Sequence, residues 1–153
     1  MTGVQTCALP IFHSSSVWRS DLADRQLTAM LSGYRRTGGV ASGEVVASLL
    51  RQRSEQPISL LARWIVARQV VCFVWRSQTW LPLFQFDLAR MEVQPGAKNA
   101  IAELSGAFDD WDMANWFAEP NSWLAGATPA DTLGSDVEAV LHAARADRYV
   151  ARG

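Results

Sequence analysis

Apolar residues fall at helical spacing over most of this chain and switch to a strand-like run once, near its middle. Over Val17–Tyr34, Leu22, Leu27, Met30 and Leu31 are partly in phase with a helix. Arg35–Ala41 contains Gly38-Gly39 and reads as a break. Ser42 then stands where an N-cap belongs, ahead of an apolar stripe of Val45, Val46, Leu49 and Leu50. This helix is expected to end near Gln52. A polar turn, Arg53–Gln56, leads to Pro57 at a first helical position, followed by Ile58, Leu61, Trp64 and Ile65 on one face. Ser59, Arg63 and Arg68 are left pointing outward. Two short helices joined by such a turn are the minimum of a helix-turn-helix.

Then the period changes. VVCFVW (Val70–Trp75) and TWLPLFQF (Thr79–Phe86) are β-branched and aromatic, and Arg76-Ser77-Gln78 separates them. That composition predicts a hairpin, with Pro82 confining the second strand to a sheet edge. Helix, turn, helix and hairpin is the order of a winged helix-turn-helix; a generic α+β core with an unrelated hairpin fits the same pattern.

From Pro95 the helical period returns. Ile101, Leu104 and Phe108 share a face up to about Ala107. Asp109 caps the next helix, whose buried side is Trp111, Met113, Ala114, Trp116 and Phe117, and Pro120-Asn121 stops it. Gly126 ends a single turn through Asn121–Leu124. Thr128 and Pro129 start another helix, and Ser135-Asp136-Val137-Glu138 is a capping box opening the last one. That helix should turn Val137, Val140, Leu141 and Ala144 inward.

At 153 residues with 49 % apolar and 19 % charged, the chain suits one compact domain or two very small ones. Its longest apolar runs fall far short of the roughly 18–20 residues a membrane span needs. Met1–Ile11, MTGVQTCALPI, matches a translated short-read sequencing adapter, and it lacks the basic start of a signal peptide. Residues 1–12 are therefore expected to be an artefact, with native chain extending upstream of His13. Setting them aside leaves Cys72 alone, which fits a reduced, cytoplasmic setting and a buried core residue.

Charge divides unevenly. Residues 13–90 hold ten arginines and five acids, net +5, whereas residues 91–153 hold four bases and ten acids, net −6. The asymmetry hints that the first half meets a polyanion. Arg51, Arg53, Ser59, Arg63, Arg68 and Arg76 are the DNA-binding candidates, on the two helices and the hairpin tip. The alternative is that these arginines only solvate an apolar helix pair.

Candidate chemistry is sparse. No phosphate-cradling glycine loop is present, and His13, His142 and Cys72 do not make a zinc site. Asp109 and Asp112 are explained by capping, His142 by packing or surface placement, and no nucleophile, base and orienting group assemble. The chain is expected to bind, without catalytic residues, metal or cofactor. Trp111, Trp116 and Trp123 are core candidates, but seven tryptophans exceed what a core this small needs, which leaves some for an interface.

WLPLFQFD (Trp80–Asp87), WFAEPNSWLAGATPADTL (Trp116–Leu133) and VLHAARADR (Val140–Arg148) together resemble the toxin-binding antitoxins of the Xre/MbcA/ParS type. The resemblance runs from about Val40 to Arg148, and its Pro-Asn…Leu-x-Gly-x-x-Pro part is the more specific. It implies a mainly α fold with one small β-hairpin: a winged helix-turn-helix-like half followed by a helical toxin-binding domain. The expected divisions are an N-terminal helix and linker over 13–39, a helix-turn-helix with hairpin over 40–90, and the toxin-binding domain over 91–153. The implied function is that of a dimeric antitoxin in a type II toxin–antitoxin system, sequestering a RES-type, NAD-consuming toxin and binding its own promoter DNA. In that family the C-terminal segment obstructs the toxin's cleft; here it would be Ala143–Gly153, with Arg145, Arg148, Tyr149 and Arg152 as contacts. The family's usual leucine–glycine ending is replaced by ADRYVARG. The alternative is a stand-alone DNA-binding transcriptional regulator.

Overall fold

A computed structural model describes residues 19–153; Met1–Ile11, His13 and Val17 lie outside the described residues. The fold is mainly α, with little strand. Backbone over residues 19–34 is helical (α1) and buries Met30 and Tyr34. It approaches a later helix closely: a Cβ on Gly33 would collide with the Ala118 carbonyl oxygen. A 3-10 turn, Arg35–Thr37, and left-handed Gly38 end it, and Val40–Ser42 forms strand β1. This strand replaces the expected break. Three residues are too few to show alternation beside a Gly-Gly pair, and its partner lies 40 residues on.

Ser42 accepts from the Val45 amide as N-cap of α2 (Gly43–Leu50), and α3 (Pro57–Val66) starts on its proline. β2 (Phe73–Trp75) and β3 (Gln78–Pro82) meet at a two-residue turn, Arg76-Ser77, with φ of 49° and 64°. Such left-handed pairs match the twist of a hairpin. The sheet order is β1-β3-β2, all antiparallel. β3 is therefore central, and Pro82 does not mark an edge. Extending the β2–β3 register sets Val71 opposite Pro82, which has no N–H to give. The buried Gln85 side chain fills in. Its Oε1 accepts from the Val71 amide at 2.7 Å, and its Nε2 donates to Val71 and Pro82 carbonyls at 2.9 and 2.8 Å. The second strand accordingly stops at Pro82, and Leu83–Gln85 is a 3-10 turn, where strand was expected through Phe86. A two-residue ladder of β4 (Phe86–Asp87) with β5 (Glu92–Val93) follows.

The rest is helical: α4 (Pro95–Leu104), α5 (Asp110–Ala118), a 3-10 turn Ser122–Leu124, α6 (Pro129–Leu133) and α7 (Val137–Arg152). Asp109 and Thr128 cap as expected. The last helix is capped by Asp136, whose side chain accepts from the Ala139 amide, and not by Ser135. The frame moves by one residue, and Val137 is left exposed instead of inward.

Burial alternates along the strands. Val40, Val71, Phe73 and Trp80 face a large core with α1, α4, α5, α6 and α7. Ala41, Val70, Cys72 and Leu81 face a smaller one with α2 and α3. The sheet is a wall between two cores. Consequently residues 19–34 belong with the C-terminal helices, Tyr34 donating to the Ala114 carbonyl, and are no separate N-terminal unit. No described helix is long and apolar enough to cross a membrane.

Candidate functional site

The aromatic Pro-Asn stretch closes on one carboxylate. α5 ends at Ala118, and Pro120 throws the chain into a loop that Asn121 organises. The Asn121 Oδ1 accepts from the Trp123 amide at 2.9 Å, and its backbone bonds to Leu124, Gly126 and Ala127. Its Nδ2 donates to Asp147 Oδ2 at 3.0 Å. The same oxygen takes Trp116 Nε1 at 2.7 Å, and Asp147 Oδ1 takes Trp123 Nε1 at 3.1 Å. Three donors thus satisfy one acceptor on α7, and Glu119 and Ser122 line the small pocket beside it. Bonds to a charged acceptor of this kind fix the orientation of the two indoles and the amide. They leave Trp123 half-exposed (54 %) with its ring edge-on to His142 at 5.9 Å.

The outer face of α7 separates the residues expected to meet a partner. Tyr149 is 81 % exposed and Val150 is 70 % exposed. Arg145 Nε donates to Glu103 Oε1 at 3.0 Å, and Arg148 Nη1 donates to Glu103 Oε2, so α4 holds both guanidiniums. Arg152 lies over Gly106, its Nη2 within 2.5 Å of where a Cβ would stand. Ala143 and Ala144 are core. Ala143–Gly153 therefore lies in and just beyond a docked helix, with Ala143 and Ala144 in the core and Arg145 and Arg148 held by Glu103. The half-exposed Trp123, His142 and Tyr149 remain outward. His142 and Tyr149 are seven residues apart and share that face.

Around α2, α3 and the β2–β3 hairpin, Arg51, Ser59, Arg63 and Arg76 are exposed. Arg53 Nη1 donates to the Met91 carbonyl at 2.9 Å and lies 3.7 Å from Glu92. Arg68 does not point outward as expected. With φ of 53° it ends α3, and its guanidinium donates to the carbonyls of Ser105 (2.6 Å) and Phe108 (2.9 Å) while pairing with Asp110 at 3.4 Å. Those carbonyls belong to the turn between α4 and α5, where helix-end acceptors favour a cation. Ile58 (74 %) and Val66 (84 %) stand exposed on α3, and a cleft of about 500 Å³ lies between α2 and α3.

Cys72 is buried, and burial first, then the charge of Asp110, pushes its thiol up to about 11, with Arg68 opposing. Among the described residues no three His, Cys, Asp or Glu side chains gather as a metal site. No local signal in the sequence marks Glu103, Asp147 and Gln85, whose partners, Pro82 apart, lie at least 14 residues away. The family-like blocks did contain Gln85 and Asp147. Set against family models, curated proteins and solved structures, the chain matches none.

Proposed function

We propose that this chain is a cytoplasmic, antitoxin-like binding protein that sequesters a RES-type, NAD-consuming toxin. The observation that supports this best is the Trp123–His142–Tyr149 face. Tryptophan and tyrosine are the residue types that anchor protein interfaces, and here both stand exposed on a rigid mount. The mount consists of Asp147 holding Trp123 and Glu103 holding the arginines of α7. The resemblance of the Pro-Asn block to toxin-binding antitoxins supplies the partner class. Contact through Tyr149 and Trp123 takes the place of contact through Arg145 and Arg148.

The test is co-expression with an adjacent RES-type reading frame, scored as growth rescue. Deleting everything after Ala139 would remove Val140, Leu141, Ala143 and Ala144 from the core, so point substitutions are the informative variants. Trp123→Ala with Tyr149→Ala should abolish rescue while leaving the protein folded and abundant. Full rescue by that double variant sinks the assignment.

One observation favours a second reading, promoter DNA binding. Helix, β1, α2, α3 and the β2–β3 hairpin in the strand order β1-β3-β2 follow winged helix-turn-helix topology. Arg51, Arg63 and Arg76 would then contact phosphates, with Ser59 near base edges.

A further inference from the structure

The cleft between α2 and α3, about 500 Å³, has the size of a small-ligand site. Most of its lining is apolar, with Ala47 from α2 and Leu61, Ala62 and Ile65 from α3. Ala47 and Leu61 are buried, so the deeper part of the cleft is dry wall, and exposed Ile58 stands at the rim.

Two charged side chains line the same cleft, and they differ in sign. Glu44 stands in the first turn of α2, and Arg51 is its C-cap. Seven residues apart, they share one side of the helix, with their backbones about 10 Å apart along its axis. They do not pair with each other, and among the described residues neither pairs elsewhere. One end of the cleft is acidic and the other basic, with Ala47 between them. A complementary occupant is apolar along its body, cationic at the Glu44 end and anionic at the Arg51 end.

An extended peptide advances about 3.4 Å per residue, so three residues set its termini ~10 Å apart. With both ends free it carries an ammonium and a carboxylate at the spacing of these two side chains. We infer that the cleft binds a short apolar peptide with free termini, about three residues long. Its ammonium meets Glu44, and its side chains pack on Ala47, Leu61 and Ile65. The Arg51 guanidinium takes the carboxylate, a pairing that can be bidentate. Thr79, also on the lining, offers a hydroxyl to the peptide backbone. The inference is independent of the toxin-binding reading, which rests on Trp123, His142 and Tyr149.

Amide chemical-shift titration of the full chain with Leu-Ala-Leu tests it, beside the same peptide N-acetylated or C-amidated. The free peptide should give saturable shifts in α2 and α3, with a Kd of about 1 mM or tighter. Each capped form should bind roughly threefold to tenfold more weakly. Glu44→Gln should weaken the free peptide by the same factor and leave the N-acetylated form unchanged. Arg51→Gln should do the same, sparing the C-amidated form. Ala62→Phe, at an exposed position, should fill the cleft and abolish binding. Thermal unfolding of each variant should match wild type, and the capped peptides probe both ends on the wild-type chain whatever the variants do. Absence of saturable shifts, shifts confined to other elements, or an affinity indifferent to Glu44→Gln and Arg51→Gln overturns the proposal. So do capped forms that bind as tightly as the free peptide, which would give the cleft to an internal segment of a longer chain.

Discussion

Asp147 draws together two tryptophans and an asparagine that are otherwise separate in sequence. Each bond has a charged acceptor and is stronger than a neutral one. Asp147→Ala leaves the largely buried Trp116 and Asn121 with unpaired donors, so we expect a loss of about 2–3 kcal/mol in denaturant unfolding. A blue- or red-shift of tryptophan emission should accompany it. Gly33 is constrained differently, by the close approach of the Ala118 carbonyl. Gly33→Ala should cost more than about 1–3 kcal/mol of overpacking, although alanine is the better helix former; an unchanged or raised Tm contradicts the close approach. Cys72 adds a pH dependence. Its thiol titrates at about 11 when folded, above the ordinary 9.0, so the unfolded chain loses this proton first. The contribution is whole below pH 9 and disappears as pH rises toward 11. Burial raises Tyr34 as well, in the same direction. Stability should therefore fall on the alkaline side, and alkylation of Cys72 should require unfolding.

Among the elements, what could be read in advance was local. Ser42, Asp109 and Thr128 cap their helices because a cap needs only its own side chain and an amide three residues on. Pro57 and Pro129 open helices for an equally local reason. β1 and the central place of β3 could not be read, since both depend on a partner strand far along the chain. The partners of the arginines are equally distant: helical phase leaves Arg68 outward, yet carbonyls 37 and 40 residues away hold it, and Glu103, 42 and 45 residues away, holds Arg145 and Arg148. Arg68 thereby locks the end of α3 to the turn between α4 and α5. Arg68→Gly keeps the left-handed backbone at ease and removes the guanidinium; it should still lose about 1.5–3 kcal/mol. If Arg68→Gly is as stable as wild type, the guanidinium bonds contribute nothing and only the backbone matters.

At the scale of the whole molecule, a basic first half and an acidic second half share one sheet as a common wall. If the winged half binds promoter DNA, only Arg51, Arg63 and Arg76 of the predicted set are free to release counterions, Arg53 and Arg68 being engaged. The slope of log affinity against log salt should then be shallow, near −2.7 for three phosphates per chain at about 0.9 each. A slope near −4.5, about 0.9 for each of five arginines, would mean that Arg53 and Arg68 are released on binding.

The sheet that divides the two cores also sets an order of events during synthesis. α1 emerges from the ribosome first, yet the surface that buries Tyr34 is complete only once α5 has joined Phe84, with Tyr34 reaching Ala114 eighty residues on. Residues 40–91 supply every member of the smaller core themselves and can close it early. The growing chain therefore waits with one face of its sheet dry and the other bare, until α7 arrives to cover it.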